Sequence, residues 1–158
     1  MLMDKYAEHI VSAVSEISRE ERGKIMQAAE LASAVIEKDG LIYIFGCGHS
    51  GILSCEGFYR AGGLACVAPV FCEPIMLHEG AAESSRLEKL SGYAERLKEM
   101  YSLESRDMMF IVSTSDKNAV PVEYAEYVKN LGIPTVGICS SAYFDQKVHN
   151  AVGKHLHE

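Results

Sequence analysis

Two short loops carry most of the groups that could hold a small anion. Gly46-Cys47-Gly48-His49-Ser50-Gly51 follows one apolar run and opens a helical pattern. Glycines let the backbone come close to an anion, and a helix N-terminus attracts it. Ser113-Thr114-Ser115-Asp116-Lys117-Asn118 follows another apolar run. Its hydroxyls and backbone amides can surround a phosphate without a metal or an arginine. A plainer reading stands beside each loop, in which Ser50, or the hydroxyls of the second loop, serve only as helix caps. Lys117 either adds charge to the second loop or is solvated. The first loop also matches G-x-G-x-x-G, the dinucleotide fingerprint. That fingerprint wants an acid ~20 residues on for the ribose hydroxyls, and there the chain reads Val67-Ala68-Pro69-Val70. A small phosphorylated ligand is therefore preferred over a nicotinamide or flavin, and no cofactor is expected.

Covalent chemistry is less well supported. No G-x-S-x-G elbow is present, so a serine hydrolase is not expected. Cys47 is a conceivable nucleophile, because a helix N-terminus lowers a thiol pKa. No pair of cysteines has C-x-x-C spacing, and the His78-Glu79 pair alone is weak grounds for a metal, so no metal site is expected. His149, His155 and His157 lie in an irregular tail and are read as exposed.

These loops need elements to hold them. Tyr6, Ile10, Val14 and Ile17 recur at helical spacing, and Ser18 to Glu21 forms a capping-box pattern that predicts a second helix. Its stripe is Ile25, Ala29, Ala32 and Ile36, closed by Asp39-Gly40 with Gly40 in the left-handed position. Strands are predicted over 41–45, 64–70, 108–112 and 134–139. Helices are predicted over 52–61, over 83–101, and from Pro121 to Leu131, the last capped by Gly132. Residues 71–82 read as a loop. Strands alternating with helices imply a parallel sheet with right-handed crossovers. Ligands bind such sheets at the carboxyl ends of the strands, which is where both loops fall.

The 158 residues carry 15 basic and 22 acidic side chains, a formal charge of −7. That length suits one domain. The acidic balance argues against a nucleic-acid partner. No apolar run approaches the ~18 residues of a membrane span, and no signal peptide is read at the N-terminus. Five cysteines, an odd number, suit a reducing cytoplasm.

Two helices, then strand-GxGxS-helix, then strand-SxSxxN-helix: this order resembles the sugar isomerase (SIS) domain of phosphosugar isomerases and phosphosugar-binding regulators. The stretch IFGCGHSGILSCEGFYRAGG resembles more closely the stand-alone SIS proteins grouped with phosphoheptose isomerases. The resemblance runs from about Asp4 to Ser141. It implies a three-layer αβα sandwich around a parallel sheet, flavodoxin-like, in a single domain over 1–158. SIS domains usually add a fifth strand and a closing helix, so the chain is expected to be a short or C-terminally incomplete form. The resemblance places Ser50 on the sugar or its phosphate. It wraps the phosphate with Ser113, Ser115 and Asn118, Thr114 lying between, while Gly46, Gly48 and His49 complete the first loop. The family's usual glycine is Asp116 here, and an acid beside a phosphate is unfavourable unless it points outward.

The implied reaction is aldose–ketose isomerisation through an enediol, which needs a base and an acid. Similarity to phosphoheptose isomerases puts the base on or before the helix after the second strand. Glu83 and Glu79 are the candidates, with His78 as acid or metal ligand; Glu88 is read as solvated within the helix. The rival function is a non-catalytic phosphosugar sensor. Relatives commonly form dimers or tetramers, so a homodimer or homotetramer is expected through the first two helices.

Overall fold

The structure is a computed structural model describing all 158 residues, Met1–Glu158. They form two compact units, residues 1–34 and 35–158. The first unit contains α1 (Leu2–Glu20) and most of α2 (Arg22–Ile36). The capping box expected at Ser18 does not form. Helix α1 runs through Ser18, and the chain breaks helical geometry only at Glu21 (φ −95°, ψ 6°), whose amide still donates to the Ile17 carbonyl. Nothing in α1 is buried. Its stripe of Tyr6, Ile10, Val14 and Ile17 is exposed.

The second unit is built on four parallel strands: β1 (Ile42–Gly46), β2 (Val67–Pro69), β3 (Met108–Ser113) and β4 (Thr135–Cys139). Each falls inside or within one residue of its predicted run; the two central strands, β1 and β3, hold the buried residues, as unbroken apolar runs covered on both faces do. The order across the sheet is β2-β1-β3-β4. The chain leaves β1 toward one edge and returns to β3 on the other side, so β1 and β3 flank the point where direction reverses. Their register pairs Gly46 with Val112, bringing the ends of the two strands side by side.

Between strands lie α3 (Ile52–Gly57), α4 (Ala81–Leu87), α5 (Glu95–Met100) and α6 (Ala119–Asn130). Right-handed crossovers in opposite directions put α3 on one face and α5 and α6 on the other. The core sits under α5 and α6. Phe45, Met109 and Ile111 from the sheet meet Leu97, Val120, Tyr124 and Val128. The Phe45 and Tyr124 rings meet edge to face at 5.1 Å, and burial pushes the Tyr124 hydroxyl pKa well up.

Three expectations are corrected. The helix predicted over 83–101 is two helices, because the chain turns between them with Gly92 at φ 83°. The residue in the left-handed position after α2 is Asp39 (φ 55°), not Gly40. Gly40 is required for another reason: a Cβ there would lie 2.1 Å from the Arg106 carbonyl oxygen. The helix after β1 ends at Gly57, earlier than expected. No helix is long and apolar enough to cross a membrane.

Candidate functional site

A cavity of about 200 Å³ opens at the switch point between β1 and β3. Three segments wall it: the loop after β1, one face of α4 with Glu88 just beyond it, and the loop after β3. Backbone contacts fasten them together. The Ile75 carbonyl accepts from the Gly48 amide and from the Ser84 hydroxyl, both at 2.8 Å, tying the first loop to α4. The Glu88 carbonyl accepts from the Val120 amide at 3.0 Å, tying the end of α4 to the first turn of α6.

In the first loop Gly48, His49 and Ser50 line the cavity. Gly48 adopts φ 54°, a left-handed conformation natural only to glycine. Gly46 does not line the cavity. It lies behind the turn, where a Cβ would stand 2.6 Å from the Ser50 carbonyl carbon. Ser50 is not a cap: neither the short turn His49–Gly51 nor α3 has a side-chain cap bond. Cys47 lines the cavity but is buried, and burial, with the Glu88 charge second, pushes its thiol well above the ordinary range. A thiol held protonated does not serve as a nucleophile.

In the second loop Ser113, Thr114, Ser115 and Asn118 all line the cavity. The Ser113 and Ser115 hydroxyls are 3.5 Å apart. Asn118 is the N-cap of α6 yet makes no side-chain cap bond. Its amide donates to Glu88 Oε1 at 2.9 Å. These residues therefore line the cavity, and α6 has no side-chain cap. Asp116 (φ 62°) is fully buried and absent from the cavity wall. Its carboxylate turns to the tail residue His157, so the acid at the position of the family's usual glycine does not line the cavity.

The proton-transfer residues expected from the sequence are elsewhere. Glu83 is exposed and makes a two-pronged ion pair with Arg86 at 2.6 and 2.8 Å, which lowers its carboxyl pKa, the opposite of what a base needs near neutrality. His78 and Glu79 are exposed and pair with each other at 3.5 Å. None of the three lines the cavity.

Glu88 does. Because α4 stops at Leu87, Glu88 is its C-cap and not a mid-helix residue on the solvent side. It is half-buried, and burial raises its carboxyl pKa above the ordinary value, with Lys89 opposing weakly. Sequence reasoning missed this wall, although a signal existed. Ala81, Ser84, Ser85 and Glu88 stand at i, i+3, i+4 and i+7, one face of a helix made only of small and polar residues.

The cavity is smaller than the ~300–1,000 Å³ of drug-sized ligand sites. It has room for one small polar molecule and not for a dinucleotide. Its walls offer hydroxyls, an amide, one imidazole and one carboxylate, and no lysine or arginine.

A profile of the SIS domain matches residues 5–140. A UPF0309 protein of Halalkalibacterium halodurans is 39% identical over 157 residues, covering 99% of this chain and 63% of the relative. One from Listeria innocua serovar 6a is 40% identical over 156 residues, covering 98% and 63%. The chain thus spans less than two thirds of the length of these relatives. Among solved structures, phosphoheptose isomerase GmhA from Neisseria gonorrhoeae superposes with a TM-score of 0.63 over 98% of this chain and 88% of its own, at 16% identity, a likeness of fold. The two loops, the doubled helices ahead of β1 and a profile match over most of the chain lead to one assignment: the chain belongs to the SIS domain family.

Proposed function

We propose that the cavity binds a small sugar phosphate and that the protein interconverts its aldose and ketose forms through an enediol. The observation that carries this reading is Glu88. It is a half-buried carboxylate with a raised pKa, lining the same cavity as Ser50, Ser113, Thr114 and Ser115. Ser50, Ser113, Thr114, Ser115 and Asn118 hold the phosphate and sugar oxygens. Glu88 removes the proton from the carbon beside the carbonyl. The electron pair forms the enediol double bond, and the carbonyl oxygen takes a proton from His49, the imidazole on the wall. Glu88 then returns its proton to the former carbonyl carbon, while the hydroxyl on the other enediol carbon gives its proton to His49 and becomes the new carbonyl. Glu83, Glu79 and His78 have no part in this scheme, being outside the wall. The phosphoheptose isomerase that shares the fold acts, by its name, on such a substrate. Hexose and heptose phosphates carry the required carbonyl–hydroxyl pair; a hexosamine phosphate has an amine in place of the C2 hydroxyl and tests only exchange of the C2 proton. A cytoplasmic setting suits the five free thiols.

A thermal-shift screen against these sugar phosphates, followed by exchange of the C2 proton with deuterated solvent, tests the reading. Stabilisation with exchange supports the isomerase. Stabilisation without exchange turns the protein into a sensor, and no stabilisation by any of them overturns the ligand class.

Ser115→Ala is expected to remove one hydrogen bond to a charged group, worth ~1.5–3 kcal/mol. That corresponds to a loss of affinity of roughly 10- to 150-fold. The melting temperature should hardly move, because this hydroxyl caps no helix and its neighbour Ser113 Oγ is a distant 3.5 Å away. Calorimetric titration with a binding sugar phosphate decides: unchanged affinity removes Ser115 from the phosphate site.

The first unit leads to an assembly prediction. Leu2, Met3, Tyr6, Ile10, Val14 and Ile17 are all exposed on one helix. A second copy of the chain is the proposed cover, giving at least a dimer. Light scattering at micromolar concentration should report it. Tyr6→Glu/Ile10→Glu should yield monomers, and a monomeric parent would contradict the proposal.

A further inference from the structure

We propose that Asp116, His155 and His157 form a binding site for a divalent transition-metal ion, zinc being the best chemical match, which clamps the C-terminal tail to the back of the hydroxyl loop. The three side chains lie in the second unit but outside the cavity wall. Their ligand atoms, a carboxylate oxygen and two ring nitrogens, all lie within 4.8 Å of one another.

The tail was expected to be irregular and its histidines exposed. Irregular it is, but it folds back onto the loop. The Leu156 amide donates to the Asp116 carbonyl at 2.7 Å, and the His157 amide donates to Asp116 Oδ1 at 3.0 Å. Asn150 Nδ2 donates to the Lys117 carbonyl at 3.0 Å. His155 is consequently only 12% exposed.

The donor set is unusual for a purely structural latch. Both imidazoles turn Nδ1 toward the same oxygen, Asp116 Oδ2, at 3.1 Å from His155 and 2.5 Å from His157. His157 makes a hydrogen bond there. His155 does not: its Nδ1 is buried and has no hydrogen-bond partner, the 3.1 Å approach lacking hydrogen-bond geometry. A buried ring nitrogen left unpaired costs free energy unless something else takes its lone pair, and it converges on a fully buried carboxylate.

Geometry suits an ion. Zinc holds His nitrogen and carboxylate oxygen at ~2.0–2.2 Å with tetrahedral angles, which sets donor atoms about 3.3 Å apart. The His155–Asp116 spacing already matches, the His157–Asp116 contact needs to open by less than about 1 Å, and the two ring nitrogens, within 4.8 Å of each other, need to close by at most about 1.5 Å. The ligands are oriented from behind, as metal ligands generally are. The His157 amide fixes the second Asp116 oxygen, and the Phe144 ring stacks on His157 at 3.8 Å. Two imidazoles and a carboxylate are a borderline-soft set with one position left open, the pattern of zinc rather than of calcium or magnesium. An ion here reverses the sign of the charge that Asp116 places behind Ser113 and Ser115, so occupancy would favour an anion in the loop.

The test uses Zn²⁺, and Co²⁺ as a spectroscopic stand-in, added to the full chain after chelator treatment. One ion per chain is expected, with a tetrahedral cobalt spectrum, no thiolate-to-cobalt charge transfer and a raised melting temperature. His155→Gln/His157→Gln should lower zinc affinity by more than about 100-fold, since loss of even an outer partner costs 10- to 100-fold. The same variant should lose the zinc-dependent rise in melting temperature while keeping the parent's circular dichroism. Asp116→Asn, which leaves the histidines in place, is the second variant and should weaken binding in the same direction. No uptake by the parent, uptake unchanged in the double variant, or a thiolate band showing cysteine ligation would each overturn the site, leaving a metal-free His–Asp–His latch.

Discussion

Glu88→Gln should slow solvent exchange at the sugar's second carbon by roughly 10²- to 10⁴-fold while leaving sugar-phosphate affinity close to that of the parent. Removing a general base costs typically 10²- to 10⁴-fold in rate. Binding should survive because glutamine keeps the volume and the oxygen that accepts from Asn118 Nδ2 at 2.9 Å. Stability should move the other way. Burial raises the folded-state pKa of Glu88 above its unfolded value. The parent is therefore favoured most below the unfolded value and loses that contribution as pH rises through the folded value. Glutamine does not titrate. At neutral pH the variant should melt higher than the parent, and the gap should close as the pH falls into the ordinary carboxylate range. Inactive yet more stable is the signature of a group kept for chemistry. Parent-like exchange in the variant would remove Glu88 from the reaction, and a lower melting temperature at neutral pH would contradict burial as the source of its shift.

Gly46→Ala should damage both stability and binding. The added Cβ would stand 2.6 and 2.7 Å from the Ser50 carbonyl carbon and oxygen and 2.9 Å from the Gly51 nitrogen. All three are backbone atoms, so no side chain can swing aside and the turn itself must shift. Overpacking of this kind costs about 1–3 kcal/mol. At 2–4 °C per kcal/mol for a chain of this size, melting should fall by roughly 2–12 °C. The same shift displaces Gly48 and Ser50 from the cavity wall, so affinity for the sugar phosphate falls with stability. Gly23→Ala is the control: its Cβ meets nothing within 4 Å inside α2, and removing a helical glycine should stabilise by roughly 0.5–1 kcal/mol. Normal melting and binding in Gly46→Ala would mean that the turn is not tightly built.

The sheet and both loops were legible because the signals are local. Ile42–Phe45 and Met108–Val112 are unbroken apolar runs, each followed at once by the glycine or hydroxyl residues of a loop. Alternation of strands and helices then placed both loops at one end of a parallel sheet. Glu88 was not legible for a definite reason. Leu87, Leu90, Ala94, Leu97 and Tyr101 keep helical spacing across the break at Gly92, so one helix was read where two exist. In that reading Glu88 fell on a solvent face. The tail was opaque because hydrogen bonds hold it, not periodic apolar side chains. Nothing in His155-Leu156-His157 announces that its amides will bond to Asp116, 40 residues earlier in the chain. Asp116 itself looked like a liability in an anion loop. Its φ of 62° turns the side chain out of the cavity, which only the folded loop reveals.

One cavity is proposed both to hold a sugar phosphate and to move a proton on it. Proton NMR of hexose, hexosamine and heptose phosphates in deuterated buffer, with parent and Glu88→Gln side by side, tests this most directly. At least one sugar phosphate should lose its C2 proton signal with the parent, the rate should fall roughly 10²- to 10⁴-fold in the variant, and the same sugar without phosphate should exchange far more slowly. A sugar phosphate that binds the parent in the cavity and keeps its C2 proton indefinitely would contradict it.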